Sequence, residues 1–319
     1  MKGNKVGVIT LNFNQNGYTI DCVKSILKSE YSNFEVILVE NGSSVENFKD
    51  LKQKLPEDDR LLLTRLDENI GYVGGVNYGL KTANEIGCDY FLIMNNDTLV
   101  DPLAIKELVV AAKNHEDNAI ISGKVYNYDE KDTLQYIGNV YKPSNDKILD
   151  YKALVKNRRE KDTGQFDKEI ELAMTDDIMW MIPRKIFETT GYYSQYFFLY
   201  GEQTDYALRA KKNGYKLIYI PSAKIWHKGG ITTTDGNKQS PRIIYWTTFA
   251  TLKISVLHFS KKEAKSFFRR WVFRMTVKRT LHFLMGKQKF SMLRAHLLAV
   301  KHFRFWNQIR YNDNGYNPF

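Results

Sequence analysis

The stretch from Asp89 to Thr98 restricts the fold of this chain more than any other. Tyr90-Phe91-Leu92-Ile93-Met94 is an unbroken apolar run of strand length, the pattern of a strand covered on both faces as in a parallel sheet. The run breaks at two amides and a carboxylate, Asn95-Asn96-Asp97. In open α/β sheets the carboxyl ends of the strands are where ligands sit. An Asp lifted out of a core strand there, with two Asn beside it, can hold a hard divalent cation through oxygen, while water and substrate phosphates complete the shell. The same residues also suit an ordinary Asn/Asp turn.

The residues before it repeat the pattern. Val6-Gly7-Val8-Ile9-Thr10-Leu11 is a β-branched run closing on Asn12-Phe13-Asn14, and residues 19–29 carry helical spacing. Phe34-Glu35-Val36-Ile37-Leu38-Val39 is a second strand, and it delivers Glu40 to the same kind of edge before a Gly42-Ser43-Ser44 turn. Residues 47–55 read as a helix and 61–65 as a short third strand. Asn69-Ile70-Gly71-Tyr72-Val73-Gly74-Gly75-Val76-Asn77-Tyr78-Gly79 then lets backbone approach a ligand. It feeds a helix from about Gly75 to Glu85, whose N-terminus suits an anion. No Gly-Lys-Ser/Thr follows, so this is not a Walker A loop, and the dinucleotide fingerprint with its strand and acidic partner does not fit. A flexible connector is the other reading.

Beyond the central run, 102–115 reads as a helix with Pro102 in its first turn, 120–126 as a strand, and 127–169 as a polar, irregular insertion. Residues 173–184 resemble a turn followed by a strand, and 187–190 a helical turn. In Tyr196-Phe197-Phe198-Leu199-Tyr200-Gly201-Glu202-Gln203-Thr204-Asp205 an aromatic cluster ends in Gly and opens a helix over 206–213, with Gly214 at its C-cap. Its acidic residues either complement the helix dipole or carry chemistry. Residues 215–220 form a strand, and 221–226 lead to His227-Lys228-Gly229-Gly230, where His227 is either structural or at a binding edge.

At 319 residues the chain can form one large domain, or one plus an appendage. Hydrophobic content of 43% with 26% charged residues excludes a disordered chain. Cys22 and Cys88 lack CxxC spacing and read as small buried hydrophobes in a reducing compartment. Met1-Lys2-Gly3-Asn4-Lys5 runs straight into a strand, which leaves no room for a secretory signal. No stretch approaches the roughly 18 apolar residues of a spanning helix, so a cytoplasmic location is expected. The net charge of +11 is unevenly spread: from Pro241 onward 16 lysines and arginines face only Glu263 and Asp313, whereas the first 240 residues hold 31 basic against 34 acidic. Helical spacing there sets Phe267, Phe268, Trp271 and Phe273 among Arg269, Arg270, Arg274, Lys278 and Arg279, a basic amphipathic pattern. It suits attachment to anionic membrane lipid, inward packing on the protein or on a second subunit, or RNA. No RRM or KH signature accompanies it, so nucleic acid is disfavoured.

Together these motifs resemble the inverting glycosyltransferases of family 2, more narrowly the rhamnosyltransferase-like and galactofuranosyltransferase-like members with the GT-A fold. The resemblance covers about residues 5–230 and rests on the combination of Leu11-Asn12-Phe13-Asn14, Val39-Glu40-Asn41-Gly42-Ser43, the glycine-rich stretch, Met94-Asn95-Asn96-Asp97, Gly201 to Arg209, and Trp226 to Gly230. It implies an α/β fold with a Rossmann-like, mostly parallel sheet flanked by helices over 1–239. Within it a nucleotide-binding half would cover about 1–125 and an acceptor half about 170–239, with a basic helical C-terminal region over 240–319. Glu40 stands where the family's Asp usually contacts the base or ribose of a UDP- or dTDP-linked sugar. Asn12, Asn14, Asn69, Gly71, Gly74, Gly75, Asn77, Asn95 and Asn96 would line the donor, with the glycines along the diphosphate and sugar. Asn95-Asn96-Asp97 occupies the family's DxD position, with Asp97 expected to meet Mg2+ or Mn2+, and His227 matches the histidine that completes that site.

One position departs from the family. Gln203 stands where relatives carry the acid that deprotonates the acceptor hydroxyl, and an amide cannot take that proton; loss of such a base costs about 10²–10⁴-fold. Three explanations compete: Glu202 serves instead, Gln203 replaces a natural acid, or the chain binds donor without efficient transfer. Asp205 would orient the helix start. The resemblance thus implies transfer of rhamnose, galactofuranose or another hexose to a glycan or lipid-linked acceptor in cell-surface polysaccharide synthesis, with a metal-stabilised diphosphate leaving group and inversion. The chain would then sit peripherally on the inner face of the cytoplasmic membrane, as a monomer or homo-oligomer. Rival readings are a metal-dependent nucleotidyltransferase and a non-catalytic RNA- or membrane-binding protein with a vestigial sugar-nucleotide pocket.

Overall fold

The structure, a computed structural model, describes residues 3–142, 151–155, 160–229 and 240–319. Gly230 and parts of the insertion, 143–150 and 156–159, lie outside the described residues. The chain opens with β1 (Val6–Asn12), α1 (Asn16–Ile26), β2 (Phe34–Asn41), α2 (Val45–Lys54), β3 (Leu61–Leu66), α3 (Gly71–Glu85) and β4 (Tyr90–Met94). β1 pairs in parallel with β2 and β4, and β2 with β3, so the apolar runs become adjacent core strands. The residues of β1, β2 and β4 are almost all buried, which is why both faces of these runs are hydrophobic, whereas those of β3 are half-buried.

Next come β5 (Thr98–Val100), α4 (Ala104–Asn114), β6 (Ala119–Asn127), β7 (Thr133–Tyr136), β8 (Asn139–Tyr141), β9 (Tyr151–Ala153), β10 (Glu160–Lys161) and β11 (Ile170–Glu171). β12 (Met179–Pro183), α5 (Arg184–Thr190), α6 (Glu202–Lys212) and β13 (Lys216–His227) follow. β12 lies antiparallel between β4 and β6. β13 runs parallel to β6 and antiparallel to β5, with a register shift between Ile220 and Lys224 where Pro221 removes a backbone donor. This is the α/β arrangement expected, a large sheet flanked by helices and parallel from β4 through β1 and β2 to β3.

Three local expectations are corrected. The helix after the glycine-rich stretch starts at Gly71, not Gly75. Gly79 shows why the glycines sit inside it: a Cβ there would stand 2.4 Å from Cγ2 of buried Ile9, so the spacing lets α3 pack closely on β1. The strand expected over 215–220 does not end there but runs on through 221–226 to His227 as β13. The insertion is partly ordered by long-range pairing, since β7 joins β6 and buried Lys124 holds Asp162 at 2.9 Å and Asp167 at 2.6 Å.

The chain divides into two compact units, Met1–Tyr193 with Tyr206–Gly229, and Ser194–Asp205 with Gly230–Phe319. The second contains α7 (Pro241–His258), α8 (Lys261–Leu284) and α9 (Phe290–Ile309). Its core gathers Trp246, Phe249, Leu252, Val300, Phe303 and Trp306. Segment 194–205 groups with these helices instead of with the sheet: Phe198 stacks on Trp246 at 5.8 Å, Tyr196 meets Trp306 edge-on at 5.3 Å, and Asp313 N donates to Gln195 O at 2.9 Å. Lys253 secures the junction. Its buried ammonium reaches Asp313 Oδ2 at 2.6 Å and Tyr196 O at 2.5 Å, and sits 3.8 Å from the centre of the Phe249 ring. Burial pulls this lysine below its usual pKa, with Asp313 opposing.

Removing one member of a buried pair leaves an uncompensated charge, so Asp313→Ala is expected to lower the unfolding free energy of the helical unit by about 3 kcal/mol. Urea unfolding followed by near-UV dichroism measures this, and the Lys253→Met/Asp313→Leu double variant should recover most of the loss.

Candidate functional site

The parallel register brings strand ends to one edge. Asn12 of β1 pairs with Glu40 of β2, which pairs with Arg65 of β3, and Asp97 follows the end of β4. Hydrogen bonds tie the edge together. Asn96 Nδ2 donates to Thr19 Oγ1 at 2.7 Å, and Thr19 Oγ1 donates to Asn12 Oδ1 at 2.7 Å. Asn12 also accepts from Gln15 N at 3.3 Å and donates to Asn16 Oδ1 at 3.1 Å. Its amide therefore organises the start of α1. Exposed Asn14 adopts φ 54° and donates its backbone N–H to Ser43 Oγ at 3.0 Å.

Glu40 is fully buried. Oε1 accepts from Ser43 N at 2.8 Å, and Oε2 has no hydrogen-bond partner among the described residues, with Arg65 Nε at 3.7 Å. A buried carboxylate oxygen without a donor is costly, and a ligand N–H or O–H would satisfy it.

His227 ends β13 directly opposite Thr98 of β5, and this register delivers it to Asp97. Gln135 fixes the ring: Gln135 Nε2 donates to His227 O at 2.8 Å, so its Oε1 faces His227 Nδ1 at 2.5 Å and assigns the proton there. Nε2 then presents a lone pair. Asn95 Nδ2 donates to it at 3.1 Å, and Asp97 Oδ1 lies 3.2 Å away. Two acceptors at that distance repel unless a second imidazole proton or a cation stands between them. A histidine whose other nitrogen donates to an amide oxygen is also the usual outer-shell arrangement of a metal ligand. Asp97 Oδ2 accepts from Gly229 N at 2.9 Å. Burial pushes the Asp97 carboxyl up, but with a second proton on the His227 ring its charge and hydrogen bond, together with the Gly229 amide, outweigh burial and hold the carboxyl below its usual value. Among the described residues no cluster of three or more His, Cys, Asp and Glu side chains could hold a metal. A pair of protein ligands suits an ion such as Mg2+ or Mn2+ that takes the rest of its shell from substrate phosphates and water. The residues present fit such an ion.

Not every expected donor contact faces a ligand. Asn77 Nδ2 donates to Tyr193 O at 2.9 Å, and its Oδ1 accepts from Tyr193 N at 2.9 Å, so the amide is a clamp between α3 and the segment after α5. Asn69 Oδ1 accepts from Gly71 N at 2.9 Å and caps the start of α3, where Gly71 has φ 80°. A Cβ on Gly74 would meet Ile70, and one on Gly75 would meet Leu11, so both serve packing.

Asp177 is the residue that sequence reading passed over. Because β12 is antiparallel to β4, its beginning lies at the edge where β4 ends, and Asn95 N donates to Ile178 O at 3.2 Å. Asp177 Oδ2 accepts from Tyr72 Oη at 3.0 Å and from Tyr193 Oη at 2.9 Å. Burial pushes its carboxyl up to about 6, against both tyrosine hydrogen bonds. The available signal was an acid immediately preceding the apolar run Ile178 to Ile182, the mirror image of Asp97 following one.

In the helical unit, Glu202 and Asp205 are buried in the first turn of α6, and Asp205 Oδ1 is 2.8 Å from His258 Nε2. Asp205 thus anchors the helix start. Gln203 Oε1 is buried without a hydrogen-bond partner among the described residues.

Comparison with known proteins now decides the family. Residues 7–191 match the model of glycosyl transferase family 2, more than half of the chain. The chain belongs to this family. It is 29% identical over 136 residues to glycosyltransferase GlyG of Streptococcus pneumoniae serotype 4, covering 43% of this chain and 42% of that protein. It is 25% identical over 207 residues to the galactofuranosyltransferase GlfT2 of Mycolicibacterium smegmatis, covering 60% of this chain and 31% of that protein. It is 30% identical over 89 residues to the poly-beta-1,6-N-acetyl-D-glucosamine synthase of Staphylococcus aureus, covering 28% of this chain and 21% of the synthase. The matches thus span less than half the length of each of these family 2 relatives.

Asp177 yields a pH prediction. Its folded pKa lies above the unfolded value near 4, so the stability it allows is full below about pH 4 and is lost as pH rises through about 6. Unfolding free energy should fall by on the order of 2 kcal/mol across that window, and this component should vanish in Asp177→Asn; urea titrations at stepped pH measure both.

Proposed function

We propose that this family 2 glycosyltransferase transfers a hexose from a UDP- or dTDP-linked donor to a glycan or lipid-linked glycan acceptor, with inversion at the anomeric carbon. The observation that carries the reading is the Asp97–His227 pair at 3.2 Å, on the sheet edge that also holds the half-satisfied carboxylate of Glu40. Glu40 takes a nucleoside N–H or hydroxyl through Oε2. Asp97 and His227 Nε2 would hold Mg2+ or Mn2+ in this reading: Gln135 orients the imidazole through Nδ1, and Asn95, whose Nδ2 donates to Nε2 at 3.1 Å, would give that lone pair up to the ion. The ion supplies positive charge to the departing diphosphate. The relatives' printed activities, galactofuranosyl transfer and poly-N-acetylglucosamine synthesis, support a role in polysaccharide assembly.

Gln203 cannot accept the acceptor's proton, so another group, a carboxylate, does. Glu202, adjacent in the first turn of α6, is the first assignment. Asp177 is the second, because burial brings it to about 6, where a carboxylate serves as a base near neutral pH.

A screen of UDP- and dTDP-sugars reporting free nucleoside diphosphate tests the proposal. One donor should turn over and Asp97→Ala should slow it by about 10²-fold or more, while a gain of about 10²-fold in Gln203→Glu would mark position 203 as the place of a natural acid. Glu202→Gln should be the more damaging of the two carboxylate changes; greater loss in Asp177→Asn would transfer the base role to Asp177. Pyrophosphate release in place of nucleoside diphosphate, or unaltered turnover in Asp97→Ala, would refute the reading.

A further inference from the structure

Helix α8 presents a face that the helical unit leaves uncovered. Of its 24 residues only Ala264 is buried. Its inner side packs on the core, with Phe268 stacked on Phe303 at 5.7 Å and Trp271 against His296 at 5.8 Å. The outer side carries Phe273, Val277, Leu281 and Leu284 at helical spacing, with Phe273 and Leu284 exposed to 72% and 71%. One position round the helix from this apolar row runs a basic one, Arg270, Arg274 and Lys278, all exposed and without an ion pair or hydrogen bond among the described residues. Phe273, Val277 and Leu281 line a shallow depression together with Arg274 and Lys278.

We infer that this face of α8 docks in the plane of an anionic lipid surface, with the apolar row entering the acyl boundary and the basic row on the headgroup phosphates. An amphipathic helix with one apolar row and one basic row binds such interfaces by combining apolar burial with charge attraction. The helix holds eight lysines and arginines against Glu263, so a second copy of the same face would set like charges together without acidic groups to offset them. Phe273 is the one ring in the row, and aliphatic Val277, Leu281 and Leu284 give no run of stacking surfaces for successive bases, which disfavours RNA. Spanning is also excluded for this element, since no helix among the described residues is long and apolar enough to cross a membrane. The inference stands independently of the donor chemistry.

Co-sedimentation of the whole chain with vesicles tests it, using phosphatidylcholine alone and an equal mixture with phosphatidylglycerol. Binding to the anionic vesicles should exceed binding to the neutral ones and weaken with added salt. Arg270→Ala/Arg274→Ala/Lys278→Ala should lower it by about 10²-fold. Phe273→Ser/Leu281→Ser should lower it comparably while far-UV dichroism and melting temperature stay at wild-type values. A Phe273→Trp variant should show blue-shifted emission on anionic vesicles relative to the wild-type change. Equal sedimentation of the wild type and both folded multiple variants would overturn the inference. So would concentration-dependent dimerisation, or binding to a single-stranded RNA, that responds to these substitutions while the vesicles are not bound.

Discussion

The parallel pairing of β1 with β2 and β4 is the constraint on which the rest depends. Once Asn12 is level with Glu40 and Ile9 with Ile93, the polar residues that end three apolar strands must emerge along one edge. Burial of the runs on both faces fixes that register, because a slip of one residue would exchange the two faces of each strand. The antiparallel insertion of β12 and the bulged return of β13 then bring Asp177 and His227 from distant parts of the chain to the same sheet edge. A hairpin-built sheet would scatter these groups over both ends.

The helical unit does a structural job besides the one its charge suggests. Its core encloses the aromatic segment 194–205, and Lys253, Asp313 and His258 fasten that segment at both ends. The first turn of α6, with Glu202 and Gln203, is therefore held by helices that lie far along the sequence. The unbalanced positive charge is borne by other residues, chiefly on the outer side of α8. Packing and surface electrostatics have separate residues within one unit.

Much of the fold was legible in the sequence because strand and helix signals are local. The apolar-to-polar breaks at Asn12, Glu40 and Asn95 located the edge, and the family motifs singled out Asp97 and His227, which the structure sets 3.2 Å apart. What escaped was what only long-range contact decides. The glycines of α3 looked like a loop because glycine is a poor helix former, yet Gly79 is required by Ile9 of a strand seventy residues earlier in the chain. Asn12 and Asn77 read as donor contacts, but their amides complete buried hydrogen bonds to α1 and to Tyr193. Asp177 is raised by its burial while Tyr72 and Tyr193 donate to it, and a single acid in a polar turn gives no hint of that. The insertion failed for the same reason, since Lys124 finds its acids some forty residues away.

In the proposed reaction Asp97 and His227 form one half of a cation site whose other half is a nucleoside diphosphate. Calorimetric titration of UDP and dTDP into the wild type, Asp97→Ala and His227→Ala, with and without Mn2+, tests it most directly. The account predicts that Mn2+ tightens binding of one of these nucleotides by about tenfold or more in the wild type, and that either substitution removes the effect. Nucleotide affinity that is the same with and without metal in the wild type, or metal enhancement that survives in both variants, would contradict it.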